Sequence, residues 1–217
     1  MDGGGVPRQA GGRRRSPAAR PTDDQLLDAA RSIFATCGFQ NATMEAIAET
    51  ANSTKPTLYA HFGGKERLYQ ATFSREATAL GRWMVSAHTS ADDRPVAEQV
   101  RVYVMALFDY ATAHPESFRM LFDTSTHNAS PAGQNMVDLI TGRIGSRIRE
   151  TLVRHGRRPA VGSELLAAMM VGLVCAAARH TQRPGGLDPV AAGELVTGFI
   201  VSALRDLDPA LLEGLAH

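Results

Sequence analysis

From residue 21 onward, apolar positions recur at intervals of three and four, with polar positions filling the gaps. Leu26, Leu27, Ala30, Ile33 and Phe34 form one stripe, Met44, Ile47 and Ala48 a second, and Leu58 and Phe62 a third. A single long helix is predicted over 65–88, carrying Leu80, Trp83 and Met84 near its far end. Five more helices follow. One runs to about residue 113 with Val100, Val104, Leu107 and Phe108, and a short one from Pro115 carries Phe118, Met120, Leu121 and Phe122. A polar stretch, 124–132, precedes a helix over 131–155 with Met136, Leu139, Ile140, Ile144, Ile148 and Leu152, and two further helices are expected over 159–181 and 189–207. The expected fold class is all-α.

The punctuation between stripes agrees with their periods. Thr22 and Gln25 form a capping box behind Pro21, and Asp23 and Asp24 suit the positive end of the helix that follows. Gly38 reads as its stop signal. Asp188 with Pro189 opens the last helix.

The segment most telling of function is 43–68, T-M-E-A-I-A-E-T-A-N-S-T-K-P-T-L-Y-A-H-F-G-G-K-E-R-L. Two short helices are separated only by Ala51-Asn52-Ser53, with Asn52 suited to a left-handed turn position. Thr54 is a good N-cap for the second helix, and Pro56 falls in its first turn, where a missing N–H does little harm. So tight a connection forces the helices to cross steeply, the helix-turn-helix geometry that sets one helix in a DNA major groove. With Leu58 and Phe62 turned inward, Lys55, Thr57, Tyr59 and His61 remain outside, each able to donate to phosphate oxygens or base edges. Lys65, in the first turn of the next helix, joins an ammonium to backbone N–H groups that already favour an anion. The alternative for these residues is a helical hairpin with a solvated polar face.

The run T-x-x-x-I-A-x-x-A-x-x-[ST]-K-x-T-L-Y-x-H-F-x-x-K-E-x-L resembles the DNA-binding segment of the TetR family of bacterial transcriptional regulators, and the likeness extends over about residues 22–75. Thr43, Ile47, Ala48, Lys55, Thr57, Leu58, Tyr59, His61, Phe62, Lys65 and Leu68 stand where that pattern has them. The departures are Asn52 for the usual turn glycine, Ser53 for an apolar residue, and Gly63-Gly64 for a polar capping pair. The resemblance implies a three-helix DNA-binding domain over 21–66 and a helical ligand-binding and dimerisation domain over 67–217. It also implies a homodimer that binds a double-stranded operator and answers to a small-molecule effector, most simply as a repressor. The DNA contacts it implies are Thr43, Thr54, Lys55, Thr57, Tyr59, His61 and Lys65.

Charge adds one feature. The whole chain carries a formal net charge of +1, yet residues 1–20 hold Arg8, Arg13, Arg14, Arg15 and Arg20 against Asp2 alone. This glycine- and proline-rich segment is expected to be a disordered basic arm, lying along the DNA backbone or in a minor groove, or serving only as a solubilising tail.

The last two helices are rich in small residues, Ala167, Ala168, Gly172, Ala176 and Ala177 in one and Ala191, Ala192, Gly198 and Ala203 in the other. Such helices pack closely, either within one subunit or as an isologous four-helix dimer interface. Two reading heads must reach half-sites about 34 Å apart, so a dimer is expected. An apolar effector pocket is assigned to Trp83, Met105, Phe108, Phe118, Phe122, Met136 and Met169, with Tyr103, His114 and His127 as polar anchors; the same side chains also suit an ordinary core.

Several classes drop out. There is no G-x-x-x-x-G-K-[ST] phosphate loop, no G-x-S-x-G elbow and no carboxylate pair set in an apolar segment, so no enzyme is expected. The seven histidines lack metal-ligand spacing, and neither metal nor cofactor is expected. Gly172 interrupts the longest apolar run, 165–178, which falls short of the roughly 18–20 residues of a membrane span. Cys37 and Cys175, far apart, read as free thiols in a reducing cytoplasm.

Overall fold

A computed structural model describes residues 21–89, 94–122, 131–154 and 162–213, with the side chains of 88–89, 131–139, 209 and 213 left aside. The basic arm and His127 therefore lie outside the described residues, as does the side chain of Met136. The protein is all-α, as its periodicity requires. The helices are α1 (Asp23–Asn41), α2 (Met44–Thr50), α3 (Lys55–Phe62), α4 (Lys65–Thr89), α5 (Val96–Ala113), α6 (Pro115–Phe122), α7 (Pro131–Arg154), α8 (Ser163–Thr181), α9 (Pro189–Asp206) and α10 (Pro209–Glu213).

Local signals place most boundaries. The Thr22 hydroxyl accepts from the Gln25 N–H at 3.3 Å while the Thr22 N–H donates to Gln25 Oε1 at 2.9 Å, completing the expected capping box. Gly38, at φ 73°, breaks the regular helix where a stop was expected, but residues 39–41 continue beyond the kink. Asn52 is left-handed at φ 48° and turns the chain between α2 and α3. Asp188 caps α9 by accepting from the Ala191 N–H at 2.8 Å. The short α10 was not expected; it folds back so that the Gly162 N–H donates to the Leu212 carbonyl at 3.2 Å.

Helices α1–α3 pack around the first part of α4. Leu26, Ala30, Ile47, Leu58 and Leu68 are fully buried there, and Tyr69 meets Phe34 and Phe39 edge-on, both at 5.0 Å between ring centroids. The same helix then runs on into the second half of the protein. Leu80 is buried, and the Trp83 indole donates to the Ala106 carbonyl of α5 at 2.9 Å. One continuous rod thus joins the helix-turn-helix to α5–α9.

Between those halves lies a charge cluster that the apolar pattern gave no hint of. Glu76 of α4 is 4% exposed. Its Oε1 accepts from the Arg75 guanidinium at 2.8 and 3.0 Å, and its Oε2 accepts from the Ser117 hydroxyl of α6 at 2.6 Å. Arg31 of α1 lies 3.7 Å from Glu76 and pairs with Glu116 of α6 at 3.3 Å, while Ser32 donates to Glu116 at 2.9 Å. Burial raises the pKa of Tyr110, which is hydrogen-bonded to Ser117. Helices α1, α4, α5 and α6 are pinned at this point.

In the second half, α9 packs on α5 and α8, and α7 packs on α8. At Gly145 a methyl group would stand 3.1–3.2 Å from Glu164, so glycine lets α7 cross α8 closely. The small residues of α8 and α9 divide between two faces. Ala167 and Ala192 are buried within the chain, whereas Ala168, Gly172, Ala176, Ala191, Gly198 and Ala203 are exposed. They lie beside Leu165, Met169, Leu195 and Phe199, each more than half exposed. The expectation about membrane-spanning length is corrected here. As a continuous helix, Ser163–Thr181 is long and apolar enough to cross a bilayer by length and composition, because Gly172 stays helical. Only 22% of that stretch is buried within the chain.

Candidate nucleic-acid interface

The outer surface of α3 is built by its own caps and by one buried anchor. Thr54 accepts from the Thr57 N–H at 3.4 Å, its hydroxyl lies 2.9 Å from that of Thr57, and Pro56 occupies the first turn. Leu58 is fully buried and Phe62 partly so, which rolls the opposite side of the helix outward. There Tyr59 is 48% exposed, Lys55 and Thr57 are partly exposed, and His61 stands at the far end. Thr43 caps α2 by accepting from the Ala46 N–H at 3.2 Å, leaving its hydroxyl hydrogen to donate outward.

Lys55, His61 and Lys65 already have partners within the chain. Lys55 is paired with Glu45 of α2. Their mutual hydrogen bond holds the Glu45 carboxyl below the usual carboxylate range and pushes the Lys55 ammonium up, so both are charged at neutral pH. His61 Nδ1 lies 2.6 Å from Asp23 Oδ1, tying the end of α3 to the start of α1. Lys65 donates to the Gln40 carbonyl at 3.0 Å and sits 4.8 Å above the Phe39 ring. In this conformation Lys65 clamps the kinked end of α1. Sequence reasoning missed Asp23 and Glu45 as members of this surface. Their separation from His61 and Lys55, 38 and 10 residues, has no helical period to betray it.

The residues assigned to an effector pocket differ in burial, and Met105 and Phe108 meet above Gly193 of α9. Phe108, Phe118 and Phe122 are buried, and Phe118 and Phe122 lie 4.8 Å apart as core neighbours. Met169 is 63% exposed on α8, where helical phase puts it on the face with Leu165 and Gly172. Trp83 and Met105 are partly buried. Trp83 meets Tyr110 at 5.8 Å and His114 at 5.6 Å, an aromatic group with polar tips where α4 meets α5. Among the described residues, no cluster of histidine, cysteine and carboxylate side chains has the makings of a metal site.

A family model described as bacterial regulatory proteins, tetR family, matches residues 26–72, the stretch that holds α2 and α3. The HTH-type transcriptional activator FasR of Mycolicibacterium smegmatis is 29% identical over 81% of this chain and 80% of its own length. The HTH-type transcriptional repressor SCO4008 of Streptomyces coelicolor is 31% identical over half of each chain. A TetR-like transcriptional regulator from Rhodococcus sp. RHA1 superposes with a TM-score of 0.67 at 27% identity, covering 89% of this chain and 100% of the other. Its capped recognition helix, the rod that carries it and these likenesses lead to one conclusion: the chain carries a TetR-family DNA-binding domain over residues 26–72 and is a ligand-responsive, DNA-binding regulator of transcription rather than an enzyme.

Proposed function

We propose that the protein works as a homodimer that binds a pseudopalindromic operator and is released by a small apolar or amphipathic effector, most simply as a repressor. Lys55, Thr57, Tyr59 and His61 enter or border the major groove, while Thr43, Thr54 and Lys65 face phosphates. Lys65 would exchange the Gln40 carbonyl for a phosphate at the start of α4. The observation that carries this reading is the continuity of α4, which begins against α3 and, toward its far end, holds Trp83 hydrogen-bonded to α5. A ligand wedged beside Trp83, Tyr110 and Met105 would tilt that rod and change the separation of the two reading heads.

Dimerisation is assigned to the exposed faces of α8 and α9. Leu165, Met169, Leu195 and Phe199 supply apolar area there, and Gly172 and Gly198 have open space above them. Apolar surface of this kind, interleaved with small residues, suits an isologous helix-helix interface better than solvent. The protein would act in the cytoplasm, where the chromosome is.

The test is binding to duplexes of random sequence across a range of salt. Affinity should fall with a log–log slope near −0.9 for each phosphate contact, and Tyr59→Phe and Lys65→Ala should weaken all sequences alike. A flat salt response, or loss confined to one sequence, would contradict the assigned roles. The name of the FasR relative favours a second reading, in which the bound dimer activates. Transcription in vitro from a bound promoter separates the two by sign.

A further inference from the structure

A carboxylate on a surface meant for a polyanion needs a reason, and Glu45 is such a group. It lies in the first turn of α2, 62% exposed, and reaches across the turn to Lys55, the first residue of the recognition helix. Residues at that helix's N-terminal end are the ones that meet base edges, whereas the first helix of the pair crosses the backbone. The ion pair therefore holds the Glu45 carboxylate at the base-reading end. Two consequences follow from charge and hydrogen-bond chemistry alone. Phosphates are repelled by Glu45, and Lys55 is engaged elsewhere, so every duplex binds less tightly than the cations would allow. A carboxylate can also accept a hydrogen bond from an exocyclic base amine, above all cytosine N4, and it gains nothing from the carbonyl-bearing edges of guanine or thymine.

Resting on the DNA-binding reading, we infer that Glu45 determines specificity: its pairing with Lys55 suppresses non-specific binding, and a base amine in the groove offsets that loss only at the right sequence. The class of contact is a cytosine amine in each half-site. The pair is exposed, so it exchanges readily for such a partner.

The experiment uses the full-length protein, with Glu45→Gln and Glu45→Ala as variants. Glu49→Gln, on the same helix, is the control for a bulk charge effect. Binding to a random-sequence duplex is measured against salt, and preferred sites are selected from a randomised duplex pool. Both Glu45 variants should bind random duplex about threefold or more tightly, with a salt slope steeper by about 0.9 as Lys55 finds a phosphate. The selected wild-type site should carry a cytosine in each half-site. Glu45→Ala should lose that preference, and Glu45→Gln should move it toward adenine, which presents a paired donor and acceptor to an amide. Unchanged random-duplex affinity and an unchanged selected site would overturn the inference while leaving DNA binding intact. An equal gain in Glu49→Gln would also overturn it, by reducing the effect to net charge. Failure of the wild-type protein to bind any duplex in dilute buffer would instead remove the DNA-binding reading, and this inference with it.

Discussion

Replacing Glu76 should unfasten the joint between the reading head and the rest of the protein, and the structure sets the size of the effect. In Glu76→Ala the buried Ser117 hydroxyl loses the acceptor 2.6 Å away, at a cost of about 1–3 kcal/mol for a buried group left unsatisfied. Arg75 and Arg31 lose their shared counter-charge, but their side chains are 25% and 27% exposed and can be rehydrated. The full penalty of roughly 3–5 kcal/mol for stranding a buried charge is therefore a ceiling. A loss of about 3 kcal/mol is expected, and about half that for Glu76→Gln, whose amide oxygen can still accept from Ser117. The assay is urea unfolding at fixed protomer concentration, followed by helical circular dichroism and by the fluorescence of Trp83, the single tryptophan. In a chain of this length each kcal/mol lowers the melting temperature by about 2–4 °C, so Glu76→Ala should melt some 6–12 °C lower. A loss below about 0.5 kcal/mol, or a larger loss for Gln than for Ala, would refute the view that this carboxylate is a satisfied buried node.

Other outcomes can be checked more quickly. Phe199→Glu places a charge at the centre of the exposed α8–α9 face and should yield a monomer by light scattering, with helical content retained; a persistent dimer would put the interface elsewhere. Asn52→Ala should cost about 1–2 kcal/mol, because alanine is strained at φ 48°, whereas Asn52→Gly should stay within about 0.5 kcal/mol of the parent in the same unfolding assay. Of the two thiols, exposed Cys37 should react quickly with an aromatic disulfide reagent. Cys175, pushed up to about 12 by burial, is thiolate at pH 8 on the order of one part in ten thousand and should react only on unfolding. The unfolded thiol ionises more readily than the folded one, so Cys175 should also draw stability down as pH rises from 9 toward 12.

The residues themselves were enough to mark the helices and most of their limits. Thr22, Thr54, Asp188 and the prolines act through backbone hydrogen bonds within a few positions, and Asn52 through its own dihedral preference, so neighbours in sequence carry the whole signal. Leu26, Ala30, Ile47 and Leu58 were legible as core because helical phase alone turns them inward. The donors on α3 became legible by the same argument, as the side chains left over.

Tertiary packing decided what depends on partners far along the chain. Glu76 reads as one more polar residue of a long helix, and only the convergence of α1, α4 and α6 brings Arg31 and Ser117 to it and makes it buried. Lys65, expected to wait for a phosphate, rests on Gln40 and Phe39 because the kink at Gly38 carries them beneath it. Met169 and Phe108 look alike in a list of apolar residues, yet one faces outward and the other is buried. Helical period states which residues share a side; which side meets another helix is decided by three-dimensional packing, through contacts whose separation in sequence follows no period.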